Sequence, residues 1–439
     1  MSGLKKVMIV GCCVLLLAVG WLTALFSKSD AARQRALMAD AQSYLDDEIY
    51  VKAVPLLEQA AQYKTKRTVQ AEELLKQAYL PLLEQSGYRR KYTGLLDKQM
   101  ARKNADPAVY LEAARYYLDR SKYSDAFSAL KLGIEKTGGQ ELTDFYEAHR
   151  YEYTAGRGAY QQVTAFLNGY IQVRQDGFWG LARPNGELIL PCEYDFLSTC
   201  SGGEVIALQD GVLSGIDLNG NRVALYKGDS VKEVSNFDQE RLALHRQDGW
   251  VLADGTLNTG SAVLEEIRTF SDGGAAARQN GKWGVLDRSG TDWLVEPEYD
   301  GIVCDDLGRC WKDKTVFVRR GDQVLLLADG KQVGEPYEDA RPFAGSWAAV
   351  KRDGQWGFID QKGEVQIDFQ FEDARSFTMH LAAVKKNGSW GYVGLSGDMV
   401  IRPVFGEAKP FEKGTAPVKT GDGWQFITLL EYKTETTGF

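Results

Sequence analysis

The stretch DGQWGFIDQKGEVQI, Asp353 to Ile367, decides the fold of the larger part of the chain. Asp353-Gly354 is a two-residue hairpin signal, because such turns need positive φ at both positions. Trp356 to Asp360 then alternates as a strand does, Gly363 marks a second turn, and Val365 to Ile367 resumes an extended pattern. Upstream, Ala348 to Lys351 supplies the strand entering the first turn. Trp356 beside Gly357 places a broad apolar face next to a backbone with no side chain. That pairing suits packing, with the indole in a layer between repeats and the glycine admitting a neighbouring strand.

The same motif recurs as DGFWGLARPNGELIL from Asp176, NGKWGVLDRSGTDWLV from Asn280 and NGSWGYVGLSGDMVI from Asn387. Degenerate copies follow Asp210, Asp248 and Gly321. The turn glycines Gly177, Gly211, Gly249, Gly281, Gly321, Gly354 and Gly388 are spaced by 34, 38, 32, 40, 33 and 34 residues. Links ending in a small or branched residue and Phe join the units, as at Ala340/Phe343, Ala374/Phe377 and Ala408/Phe411. A last half-copy, APVKTGDGWQFITLLE, closes the series.

These units resemble WG (KWG) repeats over residues 170–430, most closely at Trp179-Gly180, Trp283-Gly284, Trp356-Gly357 and Trp390-Gly391. The resemblance implies no catalytic residue. Three or four short strands per unit predict a propeller-like ring of seven and a half units. In that ring the terminal half-copy completes the first blade, Tyr170 to Ala182. An open β superhelix uses the same units without closure.

Residues 30–169 carry a different, helical period. Tyr50-x-x-Ala53, Tyr88-x-x-Lys91, Tyr123-x-x-Ala126 and Tyr160-x-x-Val163 recur at 38, 35 and 37 residues, which predicts stacked helical hairpins. The stretches YLDDEIYVKAVPLLEQAAQYK and YYLDRSKYSDAFSALKLGIEK resemble tetratricopeptide repeats. That resemblance implies a surface for peptides or partner proteins; a plain helical spacer is the alternative.

Val7 to Phe26 is uncharged and follows Lys5 and Lys6. Twenty helical residues span roughly 30 Å, the thickness of a bilayer core, so the segment predicts an uncleaved membrane anchor rather than a cleaved signal peptide. The expected plan is an anchor over 1–29, helical repeats over 30–169, the WG array over 170–430 and a tail over 431–439. The whole is an α + β multidomain protein. A signal-anchor of this kind leaves the bulk of the chain outside the cytoplasm.

The net charge of −8 is uneven. Residues 1–169 hold 23 Lys/Arg against 19 Asp/Glu, and residues 170–439 hold 29 against 41. An acidic array argues against nucleic acid as a partner. The three histidines, His149, His245 and His380, have no metal-ligand spacing, and no nucleotide-binding or hydrolase motif occurs. No catalytic, cofactor or metal residue is therefore expected. Cys192 with Cys200 and Cys304 with Cys310 form two local pairs that predict disulfides in an oxidising compartment, or four buried thiols in a reducing one. The expected function is a membrane-anchored bacterial envelope scaffold that binds an unknown protein partner. The alternatives are a cell-wall carbohydrate binder that grips glycan with exposed aromatic rings and, more remotely, a glycan-acting enzyme with an acidic cleft.

Overall fold

The computed structural model describes residues 29–156, 160–421 and 423–433. The expected anchor, Val7 to Phe26, lies outside the described residues; among those described, no helix is long and apolar enough to cross a membrane. The chain divides into two compact units, Met1–Glu147 and Ala148–Phe439.

Seven helices follow one another at the start of the described chain. They are α1 (residues 29–46), α2 (Tyr50–Ala60), α3 (Thr68–Tyr79), α4 (Ser86–Met100), α5 (Pro107–Leu118), α6 (Tyr123–Thr137) and α7 (Gln140–His149). Ala53 and Ala126, the small residues of the repeat, are completely buried. At Gly133 on α6 a Cβ would stand 2.7 Å from the Tyr110 side chain of α5, so only glycine permits that approach. Lys91, which breaks the pattern, is half exposed and pairs with Glu58 at 2.7 Å. Two buried charges also bind the helices together. Glu72 of α3 is fully buried and meets Arg102 at 2.6 Å and Lys98 at 3.2 Å. Lys76 bonds Glu112 of α5, which also accepts the Tyr92 hydroxyl at 2.8 Å.

The fourth helical repeat expected at Tyr160-x-x-Val163 is not formed. Gln162–Val163 is a strand that pairs with Arg174 and Val173, and Val163 packs with Phe166, Ile171 and Trp424. Long-range pairing overrides a local pattern here, and the β structure begins before residue 170, at Tyr153.

The second unit is a ring of eight blades. Blades 1 to 7 occupy residues 162–194, 196–225, 233–264, 266–299, 301–337, 339–371 and 373–405 in turn. Each opens with a two-residue strand, followed by a hairpin and an outer strand, all antiparallel. Blade 3 has three regular strands, and its outer position is held by single bridges, Trp250 to Leu264 and Ala253 to Thr259. Blade 8 takes Glu407–Ala408, Thr415–Thr420 and Gly423–Leu429 from the end of the chain, and its outer strand, Tyr153–Ala155, from the beginning. Eight apolar clusters fill the eight boundaries between blades, including the boundary of blade 8 with blade 1. The ring is closed. The expected seven and a half units are eight, and the last copy is completed by residues 153–155 rather than by completing the first blade. An open superhelix is excluded by the same pairing.

The repeat explains its own residues. Asp353 and Gly354 both have positive φ, 51° and 76°, as the hairpin turn requires. The carboxylate of Glu338 receives the Gly354 amide at 3.2 Å, and Glu372 does the same for Gly388. The motif glycine lies under the outer strand, where that strand shifts register. A Cβ on Gly357 would be 2.8 Å from the Ile367 carbonyl, on Gly284 2.3 Å from Val295 and on Gly391 2.5 Å from Ile401. Trp356 and Trp390 are each 4% exposed and sit in the layers between blades 6 and 7 and between blades 7 and 8. Trp179 and Trp283 are half-buried in equivalent layers. The tryptophans are packing elements, as expected, and do not form an exposed stacking row.

Candidate functional site at the ring axis

Loops joining the first and second strands of seven blades line one cavity of about 490 Å³. Only the ring axis brings seven blades together. Ala165 to Leu167 come from blade 1, Asp238 from blade 3, Asp272 from blade 4, Asp305 to Lys312 from blade 5, and Arg341 to Gly345 from blade 6. Arg375 to Met379 and Pro410 to Glu412 come from blades 7 and 8. The volume falls in the range of small-molecule and side-chain pockets.

One repeated side chain shapes this face. The residue after each two-residue strand is basic in four blades, and its cation lies over the motif tryptophan of the same blade. The distances to the ring are 5.9 Å for Arg268 over Trp283, 4.6 Å for Arg341 over Trp356, 5.7 Å for Arg375 over Trp390 and 5.3 Å for Lys409 over Trp424. The indole thus packs between blades on one side and orients a cation on the other.

The blade 5 loop crosses the axis. Its turn, Asp305 to Arg309, is held by the Asp305 carboxylate, which accepts the Leu307 and Arg309 amides at 2.9 Å and pairs with the Arg309 guanidinium at 2.7 Å. From this turn Asp306 reaches Arg375 of blade 7 at 3.2 Å and Lys409 of blade 8 at 2.7 Å. The Leu307 carbonyl accepts Thr269 of blade 4 at 2.6 Å and Asn236 of blade 3 at 3.1 Å. One turn therefore ties four other blades. Burial alone would raise the Asp306 carboxyl, but Lys409 and Arg375 outweigh it and hold its pKa below the usual carboxylate value. Asp238 and Glu412 behave oppositely. Burial raises both, and the amides of Gln239 and Gly169, with Arg309 nearby, offset only part of it.

Cys304 and Cys310 flank this turn. They are thiols packed side by side, and the Cys304 thiol together with burial pushes Cys310 well above the ordinary thiol value. Cys192 and Cys200 are thiols too, and they face different layers, Cys192 that between blades 8 and 1 and Cys200 that between blades 1 and 2. Neither expected disulfide is formed, and for Cys192 and Cys200 the fold separates the partners. No group of His, Cys, Asp or Glu among the described residues is arranged to hold a metal.

The sequence-derived residues Trp356 and Trp390 thus reach the site only indirectly, through the cations they carry. Asp306, Arg309, Arg341, Arg375, Asp238 and Glu412 were not anticipated. Two signals pointed to them: the recurrent basic residue in EIRTF, DARPF, DARSF and EAKPF, and the 40-residue spacing from Gly281 to Gly321, the longest of the series.

The family of the WG containing repeat matches residues 179–211, 261–283, 337–356, 356–390 and 390–424. No curated protein matches the chain. Among solved structures it is similar to PorZ, a bacterial surface component of the type-IX secretion system of Porphyromonas gingivalis. Identity is 11% and the TM-score 0.34, over 54% of this chain and 37% of that one. It is also similar to AztD from Citrobacter koseri, at 11% identity and a TM-score of 0.35, over 58% and 78%. Kluyveromyces lactis Hsv2 is similar at 9% identity and 0.37, over 62% and 97%. This chain therefore spans little more than a third of the PorZ chain. The chain carries WG repeats within an eight-bladed β-propeller that is preceded in sequence by a helical region.

Proposed function

We propose that this protein is a binding module of the bacterial envelope, held to the membrane by Val7 to Phe26, which docks a partner protein on the axial face of its propeller. The axial cavity carries this reading, because seven blades contribute side chains to one recess that combines Phe166, Phe343 and Phe411 with charged groups. Its helical region, with the tetratricopeptide-like spacing of Ala53 and Ala126, adds a second protein-binding surface. The uncharged run Val7 to Phe26 after Lys5 and Lys6 supports the anchor and an extracytoplasmic location for the rest. Catalysis is not part of this reading, since each of the five carboxylates of the cavity, Asp238, Asp272, Asp305, Asp306 and Glu412, already holds an internal amide or cation. Burial of Trp356 and Trp390 weighs against a glycan-stacking row.

The test is affinity capture from membrane and wall fractions with the full chain in detergent, beside the variant Ala344→Trp. Ala344 is exposed and lines the cavity. A protein retained by the parent and lost by the variant is the expected result. Retention of peptidoglycan, unaffected by the substitution, would contradict the proposal.

A further inference from the structure

The ion pairs of the axial cavity do not balance. Every cation that lines it is already engaged. Arg309 pairs with Asp305 at 2.7 Å, Arg375 with Asp306 at 3.2 Å, Arg341 with Asp373 at 3.5 Å and Lys312 with Asp313 at 3.5 Å. Three lining carboxylates have no cation within ion-pair distance: Asp238, Asp272 and Glu412. Each is held instead by a backbone amide, of Gln239 at 2.9 Å, Asp313 at 2.6 Å and Gly169 at 2.7 Å. Asp238 and Glu412 are half-buried beside consecutive residues of the blade 1 loop, Asn168 and Gly169. Phe166, Phe411 and Met379 line the same recess, and Arg309, paired with Asp305, lies near both Asp238 and Glu412.

We infer that the axial cavity recognises a basic segment of a partner polypeptide, with lysine or arginine side chains entering along the apolar residues and ending on Asp238, Glu412 and Asp272. An amide-held carboxylate keeps its position but retains free acceptor lone pairs, and an arriving cation supplies the missing counter-charge. The aliphatic stem of lysine or arginine suits apolar side chains while its head reaches the carboxylate. Asp305 is paired with Arg309, and Asp306 with Arg375 and Lys409, so these two carboxylates do not compete for the ligand. This inference rests on the axial face being the docking site.

The test is calorimetric titration of the full chain in detergent with hexalysine and, separately, with hexaglutamate. Hexalysine is expected to bind and hexaglutamate not. The double variant Asp238→Asn/Glu412→Gln is expected to weaken hexalysine about tenfold or more. Glu364→Gln, on an exposed turn of blade 6, is expected to leave it unchanged. The neutral substitutions keep the amide-accepting oxygen, and an unchanged melting temperature shows that the fold is intact. Equal hexalysine binding by the parent and the double variant, or no binding, overturns the inference. Preference for hexaglutamate also overturns it but leaves the axial face as a docking site. Loss of partner capture by Ala344→Trp, tested separately, decides that broader reading on its own.

Discussion

Replacing Trp356 by alanine removes the buried indole from the layer between blades 6 and 7. The indole is 4% exposed and packs among Phe358, Phe371, Ala374 and Phe377. Truncating a buried aromatic of this size costs about 3–5 kcal/mol through lost transfer energy and the cavity left behind. Arg341 also loses the ring beneath it, which adds about 0.5 kcal/mol for a cation that still touches water. The propeller unit, Ala148 to Phe439, has an unfolding entropy of roughly 0.6 kcal/mol/K at about 2 cal/mol/K per residue. The expected fall in melting temperature of the propeller transition is then about 5–9 °C, read by calorimetry. Trp179→Ala, at a half-buried position, is expected to cost less. An unchanged transition for Trp356→Ala, with loss of binding to a glycan, would refute the packing argument and make the tryptophan a ligand contact.

Gly284→Ala puts a methyl group 2.3 Å from the Val295 carbonyl and is expected to destabilise by about 1–3 kcal/mol in chemical denaturation, although alanine usually favours a strand over glycine. The Asp306 carboxyl, whose folded pKa lies below its unfolded value, contributes stability above the ordinary carboxylate pKa, and this is lost as pH falls through the folded value. Melting temperatures measured from neutral pH into the acid range are therefore expected to fall more steeply for the parent than for Asp306→Asn. Glu72→Gln strips a fully buried carboxylate from Arg102 and Lys98, and because both cations still reach water it is expected to cost the helical unit about 1–2 kcal/mol, seen as an earlier loss of helical circular dichroism.

The hairpins of the propeller were legible because each carries a turn that only particular residues can make and a tryptophan-glycine pair with a single packing solution. Ring closure was not. Tyr153–Ala155 is three residues long, too short to show alternation, and it is a strand only because Gly423–Leu429 presents an unpaired edge. Gln162–Val163 failed for the same reason and was absorbed into the helical period. In the helical region, Ala53 and Ala126 were readable because their burial follows from local spacing. The Glu72 and Lys76 networks were not, because their partners sit some 26 to 36 residues away. The axial cavity was the least legible feature. Its lining comes one short link at a time from seven blades, and each link looks like an ordinary connection until the ring brings them together. The spacing of 40 residues at blade 5 recorded the extra length of the axial turn without revealing its direction.

Closure of the ring around that cavity is tested most directly by a cross-link between its two ends. Thr154 and Thr428 are register partners in blade 8. In the variant Thr154→Cys/Thr428→Cys, mild oxidation followed by peptide mass measurement is expected to give an intramolecular bond between positions 154 and 428. Joining positions this far apart in the chain is expected to stabilise the propeller by up to roughly 5 kcal/mol in the chain-entropy estimate, so its melting temperature should rise. Failure of the two cysteines to join under conditions that oxidise exposed thiols, with the melting temperature unchanged, would contradict a closed eight-bladed ring.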